Sequence, residues 1–229
     1  MGNKLDIYPS VLESDTQALA RRLKEYSAFF PHMQIDIADG VFVENKTVQI
    51  DKILKMITSQ PPGIPFGNPW GSGIPTFEFH LMVKNWISYL EKLKKLCNYM
   101  QITRVLVHAQ VFNSQFSILN SQFELGLVLN PEDSVSDYLR LITKFQTVQL
   151  MTVHPGKQGS AFLPEVLDKI DELRDSGFAG EIILDGAMNE LTLPRVLARK
   201  HWPDAVCPGS YFHKRTQEKL HTLQKIANP

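Results

Sequence analysis

The chain has 229 residues, of which 43% are hydrophobic, and its 24 basic and 24 acidic side chains give a formal net charge of zero. This size and composition favour one large α/β domain over two small ones. The balanced charge indicates neither a nucleic-acid-binding face nor a membrane-surface protein, and no apolar run approaches the ~20 residues of a membrane span. Residues 1–8 lack the apolar stretch of a signal peptide, so we expect a cytoplasmic protein. Cys97 and Cys207 fit no zinc-binding spacing and are expected to be reduced.

Eight short apolar segments recur along the chain, and amphipathic stretches lie between them. Apolar residues follow helical spacing over residues 163–173, with Pro164 near the start and Gly177 just after the end, which predicts a helix. The stretches 137–145 and 217–226 show the same pattern. The predicted strands are Leu5–Tyr8, Met33–Ile37, Phe77–Met82, Arg104–Val107, Leu125–Leu129, Thr147–Val153, Glu181–Leu184 and Ala205–Cys207.

Eight strand–helix repeats are typical of a parallel barrel with outer helices, and an open doubly wound sheet is the alternative. In a barrel, the carboxyl ends of the strands form the active site. We expect a single domain over 1–229 with an insertion at 61–75, where nine of fifteen residues are Gly or Pro. Since this segment connects a helix to the next strand, it belongs on the opposite face, as an irregular loop away from substrate.

Three predicted strands carry metal-competent side chains at or near their ends, namely Asp36, His80 and Asp185. Two carboxylates and one imidazole delivered by three strands can form a divalent-cation site, and the carboxylates can also form an acid/base pair. The alternative is structural, because strand-end aspartates often cap the next helix and a lone histidine is often a hydrogen-bonded core residue.

A series of motifs surrounds these residues. In chain order they are DIADGVFVENKT at 36–47, HLMV at 80–83, LNP at 129–131, MTVHPG at 151–156 and DG at 185–186. From Ser10 to roughly Phe212, this series resembles the ribulose-phosphate 3-epimerase family. The resemblance implies a (β/α)8 TIM barrel of the ribulose-phosphate-binding type. It also implies metal-dependent epimerisation of a ketose phosphate at C3, namely D-ribulose 5-phosphate to D-xylulose 5-phosphate in the pentose phosphate pathway, by a homo-oligomer.

The resemblance assigns proton transfer to Asp36 and Asp185. It assigns one divalent metal ion (zinc, iron, manganese or magnesium) to Asp36, His80 and Asp185. Where the family has a further histidine ligand, this chain has Gln34. Alternation along the strand puts Gln34 on the same face as Asp36, and its amide oxygen can coordinate a cation, although it suits hard cations better than zinc.

The resemblance also implies residues that contact the sugar phosphate. The family's substrate-contacting serine corresponds to Ser10, and His154 is expected at the pocket mouth. Met82 and Met151 match methionines that line the family's site, whereas a third methionine is replaced by Ala38. The implied phosphate-binding residues are Gly156, Gly159, Gly186, Ala187, Gly209 and Ser210.

The phosphate loop departs from the family pattern, since Lys157 stands for a phenylalanine and Gln158 for a glycine. These changes, with Gln34, leave two alternatives open. One is a non-catalytic relative that keeps the barrel without the reaction. The other is an epimerase for a different sugar phosphate, with Ala38 enlarging the pocket.

Overall fold

The computed structural model describes residues 5–59, 75–112 and 122–227, so most of the predicted insertion lies outside the described residues. Within the described part, parallel strands alternate with helices. The strands are β1 (Asp6–Ile7), β2 (Ser10–Val11), β3 (His32–Ala38), β4 (Thr76–Met82), β5 (Gln101–His108), β6 (Glu124–Leu129), β7 (Thr147–Met151), β8 (Glu181–Asp185) and β9 (Ala205–Cys207). The α-helices are α1 (Thr16–Ser27), α2 (Ile50–Thr58), α3 (Trp86–Leu96), α4 (Val135–Ile142), α5 (Asp168–Asp175), α6 (Leu193–Leu197) and α7 (Thr216–Ala227).

The sheet closes into a barrel through the short segment that holds β1 and β2. The first of these strands pairs with β9 and the second with β3, and every pairing in the sheet is parallel. The predicted strand Leu5–Tyr8 is observed only as Asp6–Ile7, and strand pairing resumes after Pro9 with β2. Proline has no backbone N–H to donate, but its carbonyl accepts from Gln34 N at 3.0 Å. The predicted (β/α)8 barrel is confirmed, and the open sheet is excluded.

Alternation along the strands separates two packed regions. On β4, Phe77, Phe79 and Leu81 are fully buried between the sheet and the helices. The helices meet them with apolar faces, such as Leu19 and Leu23 of α1, which Asp15 caps through the Ala18 N–H. Burial of each such side chain contributes about 1.5–3 kcal/mol, so this outer region supplies most of the stabilisation.

Inside the barrel, the amino-terminal end of the strands is charged. Arg104 Nη1 lies 3.1 Å from Glu78 Oε2, and the same guanidinium contacts Glu124 and Glu181. We call Glu78, Arg104, Glu124 and Glu181 the charged layer. Above it, Leu106, Val128, Met151 and Val153 form one apolar cluster, and Ile183, Ala205 and Cys207 form another. The interior is therefore filled at this level, and one open cavity lies at the carboxyl ends of the strands.

The predicted helices are present with shifted bounds. The stretch 163–173 begins as a 3-10 turn over Pro164–Leu167 and continues as α5. The stretches 137–145 and 217–226 correspond to α4 and α7. Among the described residues, none of the helices has both the length and the apolar character needed to cross a bilayer.

Candidate active site

Asp36, His80 and Asp185 meet at the carboxyl end of the barrel. Asp36 and His80 are paired neighbours on β3 and β4, and Asp185 ends β8. The Nδ1 atom of His80 lies 3.1 Å from Asp36 Oδ1 and 3.3 Å from Asp185 Oδ2. All three residues are buried, and one ligand atom from each lies within 4.8 Å of the others. The arrangement can hold a metal ion, and it places two carboxylates in one small space.

Gln34 lies directly beneath the two carboxylates. Its Nε2 atom donates to Asp36 Oδ1 at 3.0 Å and to Asp185 Oδ2 at 2.7 Å. The Cys207 thiol donates to Gln34 Oε1 at 3.5 Å, so the amide oxygen points away from the carboxylates. Rotation of the terminal amide would be needed for Gln34 to offer oxygen to a cation. In this orientation Gln34 instead holds both carboxylates in place, and Gln149 Nε2 also donates to Asp185, at 3.0 Å.

Burial and charge perturb the acidities of this cluster. Burial raises the pKa of Asp36 to about 6, against the lowering effect of the hydrogen bond from His80, while the charge of Asp185 raises it further. Burial alone would lower the pKa of His80, but its hydrogen bonds to Asp185 and Asp36 raise that pKa to about 9. The paired carboxylates therefore favour a positive charge between them. This donor set of carboxylate oxygens and one imidazole suits a divalent cation.

Behind His80 lies a second buried histidine. The two Nε2 atoms of His80 and His108 are 2.8 Å apart, and the rings stack with centroids 5.0 Å apart. Burial, together with the charge of His80, lowers the pKa of His108 well below its usual range. A neutral His108 can accept the Nε2–H of His80 and so fix the His80 ring with Nδ1 towards the carboxylates.

A cavity of about 170 Å³ opens above the cluster. Asp36, His80 and Asp185 lie in its wall, together with Ser10, Met82 and Met151. Four backbone positions in the wall have positive φ, with +99° at Gly156, +76° at Gly159, +114° at Gly186 and +51° at Ala187. A Cβ on Gly186 would lie 2.5 Å from Val153 Cγ2, so this turn needs glycine. The predicted phosphate-binding residues, which are Gly156, Gly159, Gly186, Ala187, Gly209 and Ser210, all line this cavity.

Three residues singled out in the sequence differ in their placement: His154 and Ala38 lie outside the cavity wall, whereas Lys157 lies in it with an exposed side chain. His154 is exposed and its Nδ1 pairs with Glu132 at 2.7 Å, outside the cavity wall. Residues 152–154 have already left β7, so strand alternation no longer directs this side chain inward. Ala38 is fully buried and does not line the cavity, so its small size opens no space there. Lys157 is exposed and contacts Glu44 at 3.2 Å.

The chain is similar in sequence to known proteins over most of its length. A profile described as the Ribulose-phosphate 3 epimerase family matches residues 6–212. The chain belongs to the ribulose-phosphate 3-epimerase family. Curated relatives include the ribulose-phosphate 3-epimerase of Helicobacter pylori, 28% identical over 98% of this chain and 99% of the relative. That of Mycobacterium leprae is 27% identical over 82% of this chain and 79% of the relative. Membership of the family makes the chain an enzyme of the epimerase type.

Solved structures with the same fold come from more distant proteins. Thiamine phosphate pyrophosphorylase from Pyrococcus furiosus superposes with a TM-score of 0.59 at 14% identity, covering 98% of this chain and 96% of that one. The α subunit of tryptophan synthase from Campylobacter jejuni gives 0.57 at 15% identity, covering 99% and 95%. At this identity the likeness supports the barrel fold alone.

Proposed function

We propose that the chain epimerises a ketose phosphate at C3, with D-ribulose 5-phosphate and D-xylulose 5-phosphate as the substrate pair. The observation that carries the proposal is the pair of buried carboxylates, Asp36 and Asp185, which share His80 and Gln34 and face one cavity. Inversion at a carbon next to a carbonyl needs one group to remove a proton and another to return a proton on the opposite face. Two aspartates that face the same space suit that task.

Asp36, His80 and Asp185 would hold one divalent cation, with zinc, iron, manganese and magnesium as candidates and Gln34 as a further ligand. A cation held by these residues would supply Lewis acidity to the oxygen atoms next to the reacting carbon. Without a cation, burial raises the pKa of Asp36 to about 6, and a cation held by this carboxylate would lower that pKa again. Met82 and Met151 would exclude water beside the reacting carbons.

The experiment is hydrogen exchange at C3, followed by proton NMR. Metal-stripped protein is incubated with D-ribulose 5-phosphate in heavy water, and each candidate cation is added in turn. We expect deuterium at C3 that depends on an added cation, and conversion to D-xylulose 5-phosphate. A panel of other ketose phosphates then identifies the preferred sugar.

Two variants test the proton-transfer roles. Asp185→Asn and Asp36→Asn keep the shape of each side chain, and each should reduce turnover by at least about 100-fold while the fold is retained. Asp175→Asn is a matched control, because this exposed aspartate pairs with Lys200 and His201 and does not line the cavity. Full activity in Asp185→Asn would contradict the assignment. A folded protein that binds no divalent cation would favour the non-catalytic alternative. Light scattering in solution tests the expected homo-oligomer.

A further inference from the structure

One corner of the cavity is formed by Ser10, Gln158 and Gly209, which come from three different segments. A Cβ on Gly209 would lie 2.9 Å from Ser10 Oγ and 3.8 Å from Gln158 Nε2. The hydroxyl, the side-chain amide and the bare glycine backbone therefore surround one space. Gly186 and Ala187 belong to the wall of the same cavity.

The Gln158 amide is the unusual group in this corner. Its Nε2 atom is buried and has no hydrogen-bond partner among the described residues. A buried donor without an acceptor is unfavourable, and a ligand oxygen placed beside it would remove that penalty. Because Gln158 lines the cavity, a bound ligand can supply such an oxygen.

The cationic side chain of the same loop, Lys157, also belongs to the cavity wall but is paired with a carboxylate. Lys157 Nζ contacts Glu44 Oε2 at 3.2 Å, and both side chains are largely exposed. His154, the next basic residue towards the amino terminus, is exposed, and its Nδ1 lies 2.7 Å from Glu132 Oε1. The donor that the loop offers to this corner is therefore the neutral amide of Gln158 and not a lysine or histidine.

We propose that Gln158 is a specificity-determining residue that donates its side-chain N–H to the phosphoryl group of the substrate. The inference rests on the proposed function for the identity of the sugar, but the phosphate contact itself does not depend on turnover. A phosphoryl oxygen is anionic, so it forms a charge-assisted hydrogen bond with an amide donor. The family pattern has glycine at this position, so the side-chain donor is a feature of this chain.

Kinetics separate this contact from a purely structural role. Gln158→Met keeps the length of the side chain and removes both N–H groups. We expect the KM for D-ribulose 5-phosphate to rise by about 10- to 100-fold with kcat changed by less than about 3-fold. In Gln158→Glu the rise should be larger, because a carboxylate repels the phosphoryl group. With D-ribulose, which has no phosphate, kcat/KM should be the same in all three proteins.

Lys157→Met is the comparison variant, since Lys157 also lines the cavity but its ammonium group is paired with Glu44. Its KM should stay within about 2-fold of the unmodified protein because Lys157 is exposed and faces Glu44. The reverse pattern, with a raised KM in Lys157→Met and an unchanged KM in Gln158→Met, would overturn the proposal.

Calorimetric titration with inorganic phosphate tests the contact without any reaction. Binding to the unmodified protein, weakened at least about tenfold in Gln158→Met, supports the proposal even if no sugar is turned over. In that case a lack of exchange at C3 refutes the epimerase function and leaves the phosphate contact intact. Equal binding to both proteins, or no binding to either, overturns the inference. Gln158→Met should be at least as stable as the unmodified protein, because it removes an unpaired buried donor.

Discussion

Replacing Arg104 by methionine should strongly destabilise the barrel, because it leaves the buried Glu78 carboxylate with only His32, at 3.3 Å, beside it. Glu78 is fully buried, and Arg104 Nη1 lies 3.1 Å from its Oε2. Removing one member of a buried ion pair costs about 3–5 kcal/mol, because the charge that remains is neither hydrated nor paired. The contact with Glu124 adds little, since that side chain is 43% exposed and such pairs contribute about 0–1 kcal/mol.

Urea unfolding, followed by circular dichroism, measures the effect. With a slope of about 3 kcal/mol per M for a domain of this size, the midpoint of Arg104→Met should fall by about 1 M or more. The exposed pair of Lys94 and Glu91 provides a matched control. Lys94→Met removes a lysine from a helix surface, and its midpoint should be unchanged within error.

A double variant separates loss of pairing from loss of packing. Arg104→Met combined with Glu78→Leu removes both charges, and replacement of a buried ion pair by apolar residues is often neutral or stabilising. The double variant should therefore recover most of the lost stability. A double variant less stable than Arg104→Met, or a single variant within about 1 kcal/mol of the unmodified protein, would refute the reasoning.

Three further changes have defined outcomes. A Cβ on Gly180 would lie 2.3 Å from the backbone oxygen of Gln146, so Gly180→Ala should lower the free energy of unfolding by about 1–3 kcal/mol in urea titrations. His108→Ala removes the group 2.8 Å from His80 Nε2, and chelator competition should find divalent-cation affinity reduced by about 10- to 100-fold. Gln34→His should increase zinc affinity by about tenfold or more in the same assay, because imidazole is the better zinc ligand. Unchanged affinity in both variants would contradict the proposed metal site.

Much of the architecture follows from the sequence through simple alternation. Apolar runs separated by amphipathic stretches identify the strands, and polar residues at the strand ends identify Asp36, His80 and Asp185 as a group. This succeeds because parallel strands bring their carboxyl ends to one edge. The sequence predicts a single first strand. In the structure the pairing is interrupted at Pro9, so that β1 pairs with β9 and β2 pairs with β3.

Contacts that depend on register between strands could not be predicted. Between β4 and β5 the pairing shifts, so that Ile102 opposes Phe77 but Arg104 opposes Glu78. This bulge leaves Thr103 without a paired residue on β4, and Arg104 then points into the barrel. A shift of one residue in the pairing exchanges the two faces of a strand. The contact between His80 and His108 also depends on this pairing. Side chains beyond a strand end, such as His154, follow loop geometry that alternation does not describe.

Closure of the barrel through β1 and β9 has a consequence for protein synthesis. Asp6 pairs with Ala205, so the ring cannot close until nearly the whole chain has left the ribosome. At about 5–20 residues per second, roughly 10 to 40 s pass between the synthesis of the two strands. During that time the sheet has free strand edges, which are templates for association with other chains. A nascent chain that stops before β9 keeps those edges, and such a fragment is a natural client for chaperones.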